Sequence, residues 1–146
     1  MTLKRWNKFI KVPYYLPIPL VSISFQPYGH VSERQNLYIS VVHGGKTGYV
    51  KEMSTIFEDF QLLKPTWLTA PPRLYNQVYG DFKRKLTEKL EEISRKETVT
   101  PEQEKKTELL LIKEFSSLFG GRTIYLVTGS APTSNHVKQF LKKCFG

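Results

Sequence analysis

The stretch from residue 123 to residue 144 narrows the possible folds more than any other part of the chain. Thr123 to Thr128 is rich in β-branched and aromatic residues and reads as a strand, Gly129 to Thr133 reads as a tight loop, and Ser134 to Cys144 reads as a capped helix. Val137, Phe140 and Leu141 fall on one face of that helix, its inward face. A strand that passes through a short loop into a helix is the repeating unit of an α/β sheet, because parallel neighbours need a crossover connection between them. The expected fold class is therefore α/β, with mostly parallel strands and covering helices. Ligands of such sheets gather beyond the C-terminal ends of the strands, which is where the Gly129 loop lies.

The preceding segments fit the same class. Tyr75, Val78, Tyr79, Phe82, Leu86, Leu90 and Ile93 keep the three-and-four spacing of a long amphipathic helix that starts after Pro71 and Pro72. Thr100, Pro101 and Gln103 supply the N-cap, first-turn proline and box partner of another helix, which is expected to carry Leu109, Ile112 and Phe115 inward until Gly120 and Gly121 end it. These two helices should pack as a hairpin. Thr66 to Ala70 reads as a buried strand. Before it, Thr55 and Glu58 form a capping box for a short helix with Ile56, Phe60 and Leu63 on one face, and Pro65 stops it. Ser32 and Gln35 read as a capping box for a helix through Leu37 and Val41 that Gly44 and Gly45 terminate.

With 146 residues the chain has room for one domain or part of one. Its 22 Lys and Arg against 13 Asp and Glu leave a charge of +9, which favours anionic partners: nucleotides, phosphates, nucleic acid or an acidic membrane surface. Cys144 is the only cysteine, so an intrachain disulfide is impossible and a reducing, cytoplasmic setting is the simpler expectation. Lys4, Arg5, Lys8 and Lys11 precede an apolar run from Val12 to Ile23, but Pro13, Pro17 and Pro19 break it, which argues against a spanning or signal helix. With Trp6, Phe9, Tyr14 and Tyr15, this segment suits peripheral contact with a membrane or a solvated terminus equally. The basic cluster of Lys83, Arg84 and Lys85, with Lys142 and Lys143, is interleaved with glutamates and lacks stacking aromatics, so no nucleic-acid partner is expected. Gly44-Gly45-Lys46-Thr47 has Ser40 where a phosphate-binding Walker loop needs its first glycine. His43 and His136 have no ligand-spaced partners, and no metal ligand is assigned.

Several short motifs in one order resemble a known family. Thr128-Gly129-Ser130-Ala131-Pro132, preceded by Gly120-Gly121-Arg122 and followed by Phe140-Leu141, is similar to the adenine-contacting segment of acyl-CoA synthetases and related adenylating enzymes. Gly29-His30-Val31-Ser32-Glu33-Arg34 is similar to the family's leucine-alanine-histidine, two residues, glutamate-arginine stretch, with Gly29 in the alanine place. Asp59, Leu63-Lys64-Pro65-Thr66 and Pro71-Pro72-Arg73-Leu74-Tyr75-Asn76 match the run into and out of a core strand. The resemblance covers residues 24–146 and is to long-chain fatty-acyl-CoA synthetases. It implies a basic, proline-containing segment over 1–23, a partial adenylating domain over 24–146, and a helical hairpin insertion around 74–119.

The family resemblance also implies the chemistry. A fatty-acid carboxylate attacks the α-phosphate of ATP, Mg²⁺ assists, and the CoA thiol then displaces AMP. Gly129, Ser130, Ala131 and Pro132 would cradle adenine and the acyl-adenylate edge, and His30 would lie near the acyl and CoA end; read without the family, His30 fits a half-buried structural role. Glu33, Arg34, Pro65, Thr66 and Arg73 read as framework. The pattern also departs from the family: no glycine precedes Gly29 to build the family's phosphate loop, and the sequence ends at Gly146, ahead of its Thr-Glu motif, ribose-binding aspartate and catalytic lysine. No catalytic residue is assigned, and the expectation is a long-chain fatty acid–CoA ligase fragment inactive by itself. The alternatives are a non-catalytic nucleotide- or acyl-binding or regulatory remnant, and a basic module on the endoplasmic reticulum or mitochondrial membrane.

Overall fold

The computed structural model describes residues 19–95, 97–129 and 131–145. The basic, aromatic stretch ahead of Pro19 lies outside the described residues. Four short strands, β1 (Val21–Ser24), β2 (Lys46–Tyr49), β3 (Trp67–Ala70) and β4 (Tyr125–Thr128), form one sheet in the order β2-β1-β3-β4. Every pairing is parallel, with Val21 opposite Lys46, Ser22 opposite Trp67, and Trp67 opposite Tyr125. The helices are α1 (Val31–Val42), α2 (Ile56–Leu63), α3 (Pro72–Ser94), α4 (Pro101–Ser116) and α5 (Asn135–Phe145). The mostly parallel α/β architecture expected from the sequence is thus present, while β1 and β2 are elements that sequence periodicity did not reveal. The boundary expected between residues 23 and 24 falls inside β1.

Strand side chains alternate between the two faces of the sheet, and the faces are built from different chemistry. On one face Ile23, Leu68 and Ala70 pack with Phe60 of α2, Tyr75, Val78 and Phe82 of α3, Phe115 of α4 and Phe140 of α5. Phe82 lies at the centre, with ring centroids 5.5 Å from Phe115 and 4.7 Å from Phe140, so the α3–α4 hairpin and α5 close over a shared aromatic cluster. Tyr75 sits below them with its hydroxyl 3.2 Å from both Leu68 O and Val127 O, bridging β3 and β4. Burial raises its phenol pKa well above the ordinary value, so it remains a donor.

The other face is covered by α1, largely through polar contacts. Ser22 Oγ lies 2.8 Å from Ser40 Oγ, and Asn36 Nδ2 donates to Ile23 O at 3.0 Å. Glu33, only 2% exposed, accepts from Ser24 Oγ at 2.6 Å, from Gln26 N at 3.0 Å and from Phe25 N at 3.4 Å. Ile39, Leu20 and Trp67 supply the apolar remainder. Val31 and Val41 of α1 turn outward instead, 60% and 71% exposed.

Three local expectations are corrected. The N-cap of α1 is His30, two residues before Ser32, because the His30 ring accepts from Ser32 N, and the expected Ser32–Gln35 box does not form. Thr55 caps α2 without a side-chain bond to the helix, because its hydroxyl donates back to Glu52 O at 3.1 Å. Leu109 is 57% exposed, and Leu111 takes the inward place expected of it: in the unbroken run Leu109-Leu110-Leu111-Ile112, tertiary packing sets which face is buried. The Thr100–Gln103 capping box is formed in both directions, at 3.3 and 2.8 Å. Within the basic cluster on the hairpin, Arg84 lies 3.1 Å from Asp81 and Lys85 2.8 Å from Glu114.

Two tests follow from this packing. Replacing Glu33 by Ala leaves a buried hydroxyl and two backbone N–H groups without their acceptor, and should cost about 3 kcal/mol in urea unfolding, with Glu33→Gln costing less because one acceptor oxygen survives. Gly120 has φ +84, and a Cβ there would lie 2.6 Å from Phe60 O and 2.7 Å from Lys64 Cα. Gly120→Ala should therefore lose at least about 2 kcal/mol, whereas Gly121→Ala, at φ +69 with nothing within 4 Å, should lose only about 1 kcal/mol.

Candidate functional site

Because all four strands run the same way, the turns that follow β1, β3 and β4 emerge on one edge of the sheet. The order of strand placement reverses between β1 and β3: β2 lies on one side of β1, and β3 and β4 on the other. A reversal of this kind opens a crevice beyond the C-terminal strand ends. α1, α3 and α5 each begin after one of these three strands, so the positive ends of their dipoles lie toward that edge. The arrangement suits a ligand that carries negative charge.

The β1 side of the crevice is the turn from Phe25 to His30. Its shape is fixed from beneath by Glu33 and from above by Arg34, whose Nη1 donates to Tyr28 O at 3.1 Å and Gly29 O at 3.2 Å. His30 N bonds to Pro27 O at 2.8 Å, closing the turn. His30 is half-buried at the helix N-terminus, with Nδ1 2.6 Å from Ser32 Oγ and 3.4 Å from Ser32 N. Tyr28 OH donates to Tyr49 OH at 2.8 Å, which ties this turn to the end of β2.

The β4 side is the loop from Gly129 to Ser134. Thr128 Oγ1 and Thr133 Oγ1 lie 2.9 Å apart and close the loop at its base, while Ser134 Oγ accepts from Val137 N at 3.4 Å as the cap of α5. Gly129, Ala131 and Pro132 are exposed on the edge; Ser130 lies outside the described residues. A Cβ at Gly129 would meet nothing within 4 Å, so the glycine leaves open space above the strand end. β3 separates the two sides, which places the axes of β1 and β4 about 10 Å apart, two strand spacings.

The structure thus brings His30, Gly129, Ala131 and Pro132 to the same sheet edge. Sequence reasoning treated Glu33 and Arg34 as framework without saying what they hold: they shape the turn that presents His30. Tyr28 and Tyr49 were not singled out at this edge, since neither lies in a spaced pattern. Gly44 to Thr47 lies at the opposite edge, joining the end of α1 to the start of β2, the reverse of the strand-to-helix order a Walker loop needs. Among the described residues no group of three His, Cys, Asp or Glu side chains is placed to hold a metal.

Comparison with known proteins places this geometry in context. The family model described as AMP-binding enzyme matches residues 8–146. The carboxylic acid reductase of Mycobacterium marinum is 32% identical over 127 residues, which cover 86% of this chain and 10% of that protein. The peroxisomal long chain acyl-CoA synthetase 7 of Arabidopsis thaliana is 30% identical, covering 86% of this chain and 20% of that protein. Among solved structures, the A domain of carboxylic acid reductase from Segniliparus rugosus, in complex with AMP and a co-purified carboxylic acid, superposes with a TM-score of 0.66 at 28% identity, over 85% of this chain and 18% of that one. The chain spans a tenth to a fifth of the length of these curated relatives. They divide between reductases and synthetases, so the narrower resemblance to long-chain synthetases gives way to what both groups share. With almost the whole chain matched and its parallel sheet superposing on an adenylation domain, the chain belongs to the AMP-binding enzyme family.

Proposed function

We propose that this chain supplies the nucleotide- and acyl-facing wall of an adenylate-forming site. In that reaction a carboxylate oxygen attacks the α-phosphorus of ATP, an acyl-phosphate bond forms, and pyrophosphate leaves. The observation that carries the reading is the placement of His30 and of Gly129, Ala131 and Pro132 on either side of one sheet edge, toward which three helix N-termini point. Gly129, Ala131 and Pro132, with Ser130, would lie against adenine, where small residues allow the backbone to approach a flat ring. His30 would border the acyl group and the CoA end. A neighbour described as holding AMP and a carboxylic acid supports a site of this class.

The acid is read as a long-chain fatty acid and the acceptor as CoA, on the ordered motifs and the synthetase relatives. A second reading, in which the activated acid goes on to reduction, is favoured by the reductase relatives and shares the adenylation step. In either case residues 1–146 alone are expected to bind without turning over. Residues 1–28 contain no glycine from which a phosphate loop could be built, and positioning and charge stabilisation of the kind such loops supply are worth on the order of 7–11 kcal/mol. No helix among the described residues is long and apolar enough to cross a membrane.

The test is calorimetric binding of a non-hydrolysable palmitoyl-adenylate mimic and its benzoyl counterpart to the chain and to Gly129→Trp. Because Gly129 has open space and an ordinary φ, the variant should melt with the parent yet bind at least tenfold more weakly. Preference for the palmitoyl mimic supports the long-chain reading, and equal or better binding of the benzoyl one removes it. A folded chain that binds neither mimic, or binds them equally well with Trp at 129, contradicts the site itself.

A further inference from the structure

The loop that carries Gly129, Ala131 and Pro132 leaves β4 and enters α5, and both of its feet are fixed in the core. Val127 O, one residue before the end of β4, accepts from the fully buried Tyr75 hydroxyl at 3.2 Å. On the other side Val137, 3% exposed, seats the first turn of α5, with its N–H on Ser134 Oγ at 3.4 Å. Between these feet the backbone is loosened. Gly129 has an ordinary φ, so the fold does not require glycine there; the missing Cβ leaves open space for a ligand but adds conformations that binding would have to freeze out. Among the described residues, the hydrogen bond that spans the loop is the one between Thr128 Oγ1 and Thr133 Oγ1, at 2.9 Å. Its two ends differ in setting: Thr128 is exposed at the strand end, whereas Thr133 is buried at 7% exposure. Valine would fill the same space at 133, so what the Thr133 hydroxyl adds is its bond to Thr128.

We propose that Thr128 and Thr133 are positioning residues of the nucleotide site: their hydroxyl pair holds Gly129, Ala131 and Pro132 in the shape that receives adenine before the ligand arrives. This rests on the adenine-facing role proposed above for the loop. Tyr75 and the cap of α5 fix where the loop starts and ends, and the threonine pair fixes the path between them. Both threonines belong to one strand–loop–helix unit, so their bond needs no other segment or partner to form. Neither has to touch the ligand; the bond acts by lowering the cost of ordering the loop on binding.

The experiment titrates the full chain with AMP, followed by NMR, alongside Thr128→Val, Thr133→Val, the double variant and Thr133→Ser. The valine variants should melt with the parent yet bind AMP about fivefold more weakly, the size of effect expected when one contact must be ordered on binding. The double variant should bind no more weakly than either single one, because the bond can be lost only once. Thr133→Ser keeps the hydroxyl and should bind as the parent does. A role confined to stability would move the melting temperature and leave Kd alone. Thr128 is exposed, so its variant tests the bond however the buried one folds. The proposal is overturned if folded valine variants bind AMP like the parent, if the two losses add, if Thr128→Val alone weakens binding, or if Thr133→Ser binds as poorly as valine. A folded parent chain that binds no AMP removes the adenine reading and this inference with it, whereas a parent that binds while the variants match it removes this inference alone.

Discussion

The Glu33 carboxylate sits beneath the first helix, where an ionised group without partners would be strongly destabilising. Ser24 and the backbone of residues 25 and 26 supply its donors, and in doing so they fix how the chain leaves β1. The turn to His30, the seating of α1 on the sheet and the crevice at the β1–β3 reversal all follow from that anchoring. The same contact explains why α1 is built inside out, with Glu33, Asn36 and Ser40 facing the serines of β1 and its valines facing outward. A sheet face lined by Ser22 and Ser24 is best satisfied by a helix that brings hydrogen-bonding groups to it.

That inversion marks the line between what the sequence shows and what it hides. α3, α4, β4 and α5 bury aliphatic and aromatic residues against one another, so their periods, caps and breakers are legible one element at a time. β1 and β2 are four residues each, and strands such as Val21-Ser22-Ile23-Ser24 and Lys46-Thr47-Gly48-Tyr49 match a polar neighbour that only the folded structure reveals. The inward phase of α4 was misread at Leu109 because four consecutive apolar residues carry no phase of their own. Family motifs singled out His30 and Gly129 to Pro132, of which the structure places His30, Gly129, Ala131 and Pro132 along one sheet edge. The role of Glu33 is a three-dimensional one, visible only when the Ser24 hydroxyl and two amides converge on it.

The edge so constructed offers helix N-termini, a glycine with open space and a pinned histidine turn, features suited to a ligand that carries negative charge. The chain matches a tenth to a fifth of the length of its relatives. Adenylate formation divides its work between binding the nucleotide and acid in register and neutralising the departing pyrophosphate, and under the proposed function the groups described here would serve the first task.

The most direct measurement of the central claim is photoaffinity labelling of the chain with 2-azido-AMP, competed with unlabelled AMP and mapped by peptide mass spectrometry. The account predicts competed label on the peptide covering residues 125–138, next to the Gly129 loop. Label confined to the lysine-rich hairpin of α3 and α4, or label that AMP does not compete, would contradict it.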